Sequence, residues 1–231
     1  MSDEAGEKIR VWDLPVRLFH WALVLLVTFS VTTGLIGGNW MLWHMRCGYT
    51  ILALVAFRVL WGLVGTSTAR FSDFVHGPRR VAGYTRELLA RRPAQVVGHN
   101  PLGGWMVVAL LAVLLVQAAT GLFANDDIAT EGPLYVYVSK VVSDALTEIH
   151  QANVVILYVL VALHVAAVLY HWFGRGENLV RPMLTGLKPR PPGLAQDAVR
   201  FSSPWLALGI CVMAGLAVWL LVTLPPTTTT Y

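Results

Sequence analysis

Five stretches of the chain are almost unbroken runs of apolar residues, at approximately 18–36, 42–64, 103–124, 149–173 and 204–224. Each is about 20 residues long, the length a helix needs to cross roughly 30 Å of hydrocarbon. Membrane-spanning strands would alternate apolar and polar positions, and these runs do not. The pattern predicts five transmembrane helices.

Composition agrees. Of 231 residues, 56% are hydrophobic and only 13% charged, against about 25% charged in a soluble domain. The first apolar run is preceded by an acidic-leaning leader and followed by no small-residue cleavage site, so it is expected to stay as the first helix. Two cysteines, Cys47 and Cys211, are too few for a disulfide framework, and no C-x-x-C-H haem-attachment motif is present. Both read as small apolar residues.

The connections set the expected orientation. Arg70, Arg79, Arg80, Arg86, Arg91 and Arg92 stand between the second and third runs, against Asp73 and Glu87. Arg175, Arg181, Lys188, Arg190 and Arg200 stand between the fourth and fifth, against Glu177 and Asp197. The connection between the third and fourth carries Asp126, Asp127, Glu131 and Asp144 against Lys140 alone. Basic connections stay cytoplasmic, which puts the amino terminus inside and the Thr-rich tail after Pro226 outside. Trp40 and Trp43 would form one interfacial belt, and Trp61, Trp105, Trp172 and Trp205 the other. The net charge of +4 then reflects attraction to anionic lipid rather than nucleic-acid binding.

Ionisable side chains inside membrane spans are costly and mark function; here they are His20, His44, His150, His164 and Arg58. His150 and His164 lie 14 residues apart, on one helix face and roughly 21 Å apart along the axis. Across the turn at 37–39, His20 falls ~27 Å below the turn and His44 ~9 Å below it, a depth difference of roughly 18 Å. Two levels result, His44 with His150 near the outer face and His20 with His164 near the inner. Two imidazoles at one depth on different helices are what a six-coordinate haem iron requires, and bundle cores hold such cofactors.

The 14-residue interval recurs. Gly34 follows His20 by that interval, and Gly121 sits in a matching Ala-Thr-Gly-Leu-Phe sequence. Glycine there lets the backbone approach a flat ring, although small residues also serve ordinary helix contact. Arg58 follows His44 by 14 residues and is expected to meet a haem propionate, with snorkelling to the surface as the alternative. His171 overshoots the depth match and is expected at the inner interface. His76 and His99 fall in a cytoplasmic connection, where a solvated imidazole is the default, and Gln117 is expected to make a packing hydrogen bond.

The segment Val-Trp-Asp-Leu-Pro-Val-Arg-Leu-Phe-His20-Trp resembles the opening of bacterial cytochrome b561 proteins, which are grouped with the cytochrome b subunits of nickel-iron hydrogenases. Phe57-Arg58-Val-Leu-Trp-Gly-Leu-Val-Gly65, then Ala69-Arg70-Phe71, is similar to the end of that family's second helix. Gly98-His99-Asn100-Pro101-Leu102-Gly103 is similar to the entry to its third. The likeness covers about residues 9–190. It implies four core helices and two bis-histidine haems b, with the family's ligand positions falling on His20, His44, His150 and His164.

The expected fold is therefore an all-α membrane protein, a dihaem four-helix bundle over residues 1–190, with a linker and an extra transmembrane helix over 191–231. The expected function is electron transfer between membrane quinone and a periplasmic redox partner, docked on the acidic connection 125–148. The resemblance also raises superoxide:quinone oxidoreduction at the same haems. A histidine-lined transporter or membrane anchor would need broken or polar helices at mid-membrane, and the third and fifth runs have almost no polarity there.

Overall fold

The structure is a computed structural model that describes residues 7–90, 96–190 and 199–225. Arg91, Arg92, Asp197, the first six residues and the Thr-rich tail lie outside the described residues. In chain order the elements are β1 (Lys8–Arg10), α1 (Leu14–Ile36), α2 (Met41–Val64), α3 (Phe71–Phe74), α4 (Pro78–Leu89), α5 (Pro101–Gly121), α6 (Lys140–Leu169), α7 (Val180–Thr185), β2 (Leu187–Pro189) and α8 (Pro204–Thr223). Five helices, α1, α2, α5, α6 and α8, are long and apolar enough to cross a membrane. Their outward positions carry large apolar side chains, among them Leu25, Leu35, Leu63, Val155 and Trp219. Water would penalise such a surface, whereas lipid accepts it.

Helix ends depart from the apolar runs because caps, and not hydropathy, set them. Asp13 Oδ1 accepts the Val16 N–H at 2.8 Å and starts α1 ahead of Leu18. Asn100 Oδ1 takes the Gly103 N–H at 2.7 Å, so α5 begins two residues before the run. The largest departure is in α6, whose first turns are polar. Residues 140–148, expected as part of an acidic loop, are helical and carry the Lys140–Asp144 pair at i, i+4. Beyond Leu169 the same helix continues as one π-helical turn, Tyr170–Gly174.

The chain divides into two compact units. The first comprises residues 1–18, 59–108 and 162–207. Here β1 pairs antiparallel with β2, Lys8 opposite Pro189 and Arg10 opposite Leu187. Gly186 ends α7 with φ 82°, and its carbonyl receives the N–H groups of Val11 and Trp12. A Cβ at Gly186 would stand 2.9 Å from the Trp12 carbonyl, so both conformation and space demand glycine. Trp61 is fully buried and donates Nε1–H to Asp13 Oδ2 at 3.0 Å. That corrects its expected place in an interfacial belt: the indole N–H is spent on a buried carboxylate.

The second unit comprises residues 19–58, 109–161 and 208–231. It contains most of α1, α2 and α8, the second half of α5 and the first two-thirds of α6. Cys47, Ile51 and Val55 on α2, Leu111 and Leu114 on α5, and Leu157 on α6 are buried. On α8, Ile210, Ala214 and Val218 are buried at helical spacing.

Candidate functional site

The second unit encloses a cavity of about 510 Å³ lined by α1, α2, α5, α6 and the loop after α5. His44 of α2 and His150 of α6 both face it, their ring centroids 6.0 Å apart and their planes crossed at 80°. Each imidazole is held in the same way. His44 Nδ1 lies 2.8 Å from the Ser30 carbonyl of α1, and His150 Nδ1 lies 2.8 Å from the Gln117 carbonyl of α5. A carbonyl oxygen only accepts, so both Nδ1 atoms carry the proton. In the neutral form of each ring the lone pair then falls on Nε2.

A hydroxyl stands 3.2 Å from each Nδ1, Ser30 Oγ in one case and Thr120 Oγ1 in the other. The two places are copies of one local design. Four residues after each accepting carbonyl comes a glycine, Gly34 or Gly121. A Cβ at Gly34 would meet His44 Nδ1 at 2.8 Å, and one at Gly121 would meet His150 Cε1 at 3.0 Å. The glycines make room for the neighbouring helix's imidazole. Thr33 and Thr120, just before them, turn their hydroxyls back onto carbonyls of their own helices, which keeps these polar groups satisfied inside an apolar bundle.

This arrangement fits a haem. An iron bonded to two imidazole nitrogens at about 2 Å each spaces the ring centroids by roughly 6 Å, close to the distance found. In the neutral form each imidazole offers Nε2 as a donor and is oriented through Nδ1 by an outer hydrogen bond, the pattern of metal-bound histidines. Among the described residues no three His, Cys, Asp or Glu side chains cluster as a metal site; the cavity offers two imidazoles.

The model of the prokaryotic cytochrome b561 family matches residues 11–186. The chain belongs to that family. Relatives include a probable Ni/Fe-hydrogenase B-type cytochrome subunit of Rhizobium leguminosarum bv. viciae, 23% identical over 80% of this chain and 93% of the relative. A probable Ni/Fe-hydrogenase B-type cytochrome subunit of Azotobacter vinelandii (30% identical, 44% of this chain and 55% of the relative) and a probable Ni/Fe-hydrogenase 1 B-type cytochrome subunit of Escherichia coli K12 (27%, 40% and 49%) match shorter parts. No solved structure matches the chain. As a member of this family the chain is a multi-pass membrane protein of electron transport that binds b-type haem.

The remaining sequence-predicted residues are placed as follows. His20 belongs to the second unit, half-buried and edge-on to Trp21 at 5.0 Å. His164 belongs to the first unit and is also half-buried. Arg58 is only 2% exposed, so its guanidinium stays within the protein instead of snorkelling. Gln117 makes the expected packing bond, Nε2–H donating to the His150 carbonyl at 3.0 Å.

One expectation changes. His99 is not solvated: it is half-buried between Trp12, at 4.6 Å, and Phe74, at 4.5 Å. His171 is buried, and its Nδ1 bonds Glu177 Oε2 at 3.0 Å. Lys188 Nζ holds the other Glu177 oxygen at 2.7 Å. The hydrogen bond from His171, with that from Lys188, outweighs desolvation and pulls the Glu177 carboxyl down to about 2.

The acidic connection is largely self-satisfied. Although burial works to raise it, the Asp126 carboxyl is held well below the carboxylate range by the N–H groups of Thr130, Ala129 and Ile128. Lys140 bridges Asp127 and Asp144. Asn125, Asp126, Thr130 and Gly132 from this loop also line the cavity, a role that hydropathy and charge counting do not reveal.

Proposed function

We propose that this protein carries two haems b, one held by His44 and His150 and the other by His20 and His164, and that it moves electrons across the bacterial inner membrane between quinone and a periplasmic redox partner. The observation that carries the reading is the His44–His150 pair, with 6.0 Å between rings and both Nδ1 protons tied to backbone carbonyls. Haem supplies reversible one-electron chemistry when bound, and the chain's part is ligation, orientation and exclusion of water. Gly34 and Gly121 leave room at the cavity wall for imidazole and porphyrin together. Arg58, cationic and buried, is assigned to a propionate of the inner haem.

The excess of arginine and lysine on the connections after α2 and α6 supports a cytoplasmic amino terminus and a periplasmic α5–α6 loop. The dihaem domain then covers residues 1–190, and 191–231 supply a linker and α8. The partner is of the hydrogenase type, since the relatives are named as hydrogenase cytochrome subunits.

Haem stoichiometry of purified single variants, read as the pyridine haemochrome, tests the assignment. Alanine at His20, His44, His150 or His164 removes one haem of two, and alanine at His76 or His171 removes none. Full haem content in any of the first four sinks it.

A further inference from the structure

The two imidazole cradles are alike except in one respect. His150 is clamped from its own helix and His44 is not. Asn153, one turn after His150 and only 7% exposed, donates from Nδ2 to Gln117 Oε1 at 2.7 Å and to the Val113 carbonyl at 3.0 Å. Gln117 in turn donates from Nε2 to the His150 carbonyl at 3.0 Å, while its own carbonyl takes the His150 Nδ1 proton at 2.8 Å. Residues 117, 150 and 153 thus form a closed ring of hydrogen bonds between α5 and α6. In the other cradle the position one turn after His44 is Cys47, which has no amide, and the carbonyl acceptor belongs to Ser30, whose short side chain reaches only the imidazole.

A buried amide pair is expensive to keep in an apolar bundle unless it is fully satisfied. Leucine at both positions would pack the same helices without that cost. The ring's geometric effect is on one group: it fixes the carbonyl that orients the His150 imidazole, and so the angle that imidazole makes with the ring of His44.

We infer that Asn153 and Gln117 are positioning residues that hold the His150 ring across that of His44, setting the electronic state of the iron the two share. The inference rests on the reading of His44 and His150 as ligands of one haem. Imidazole rings crossed at 80° would leave the two π-symmetry d orbitals of an iron held between them close in energy. Parallel rings split them. The ferric low-spin haem therefore shows a large maximal g value when the rings are crossed and a smaller one when they align. Outer hydrogen bonds to a ligand and ligand orientation are also levers on haem potential.

The test uses the purified full-length holoprotein. Asn153→Leu and Gln117→Leu should retain two haems, and electron paramagnetic resonance should show one of the two low-spin signals moving to a smaller maximal g value, the other unmoved. The exchange pair Gln117→Asn with Asn153→Gln, which restores an amide-to-amide bond, should return the signal toward its original position. Asn153→Ala, free of added bulk, gives the same shift if leucine disturbs folding. Unmoved signals in all single variants at full haem content overturn the clamp. His150→Ala, measured in parallel, separates the two failures: loss of one haem there preserves the ligand reading, and retention of both refutes it.

Discussion

The two units of the molecule spend their polar groups on opposite purposes. In the second, the neutral side chains of Ser30, Thr33, Gln117, Thr120 and Asn153 gather around two imidazoles and a cavity, to whose lining the loop after α5 adds Asp126. In the first, charges and aromatic rings close on each other: Asp13 with Trp61, Glu177 with His171 and Lys188, and His99 between Trp12 and Phe74. One region keeps a space open and presents two nitrogen lone pairs to it. The other ties helix ends and the segments between them into a clasp. An interior that must receive a cofactor needs neutral, oriented donors, because unpaired charge in low dielectric is costly. A clasp at helix ends tolerates charge because each ion has its counter-ion at hand.

The comparison breaks most visibly at the glycines. Gly34→Ala places a methyl 2.8 Å from His44 Nδ1, and Gly121→Ala places one 3.0 Å from the nearest atom of His150. Either substitution displaces a cavity imidazole, so loss of at least half of one haem is expected, with Gly34→Ala the more severe. The overpacking itself should cost about 1–3 kcal/mol. Haem-to-protein ratio and thermal unfolding of the purified variants measure both effects. A full haem complement in Gly34→Ala would show that the cradle is looser than its distances indicate.

A smaller effect should appear in the clasp. The Glu177 carboxyl is held at about 2, below its ordinary 4.5. A depressed carboxyl stabilises the fold above its unfolded value and loses that contribution as pH falls toward the folded one. The native protein should therefore lose stability between about pH 4.5 and 2 through this group, and Glu177→Gln should flatten that part of the profile. Glu177 is 36% exposed, so the effect at neutral pH should stay below about 1 kcal/mol. Haem absorbance should be unchanged in Glu177→Gln, since neither Glu177 nor its partners His171 and Lys188 ligate a haem in this account. Thermal melts across the acid range check both points.

The five spans were legible because lipid-facing helices must be apolar all round, and the relative depths of His44 and His150 followed from helical rise alone. What hydropathy misses is helix that leaves the hydrocarbon. Residues 140–148 are charged yet helical, because Lys140 and Asp144 pair along the helix and the backbone bonds continue whatever the side chains face. Charge counting misses in a different way. Asp126 and Asp127 look like a free acidic surface, but backbone amides and Lys140 take up their charge within the loop. The aromatic enclosure of His99 and the burial of Trp61 depend on contacts between segments distant in sequence, which no local pattern encodes. The equivalence of the two cradles was half visible, in the repeated Thr-Gly-Leu, but the carbonyl four residues earlier gives no sequence signal, since every residue has one.

The central claim is that His44 and His150 hold one iron between them. Equilibrium redox titration of the purified protein, followed at the haem α-band, resolves components by potential. His44→Ala and His150→Ala should each lose the same component and leave the same one behind. Loss of different components in the two variants would mean that the histidines serve different haems, and would contradict the account.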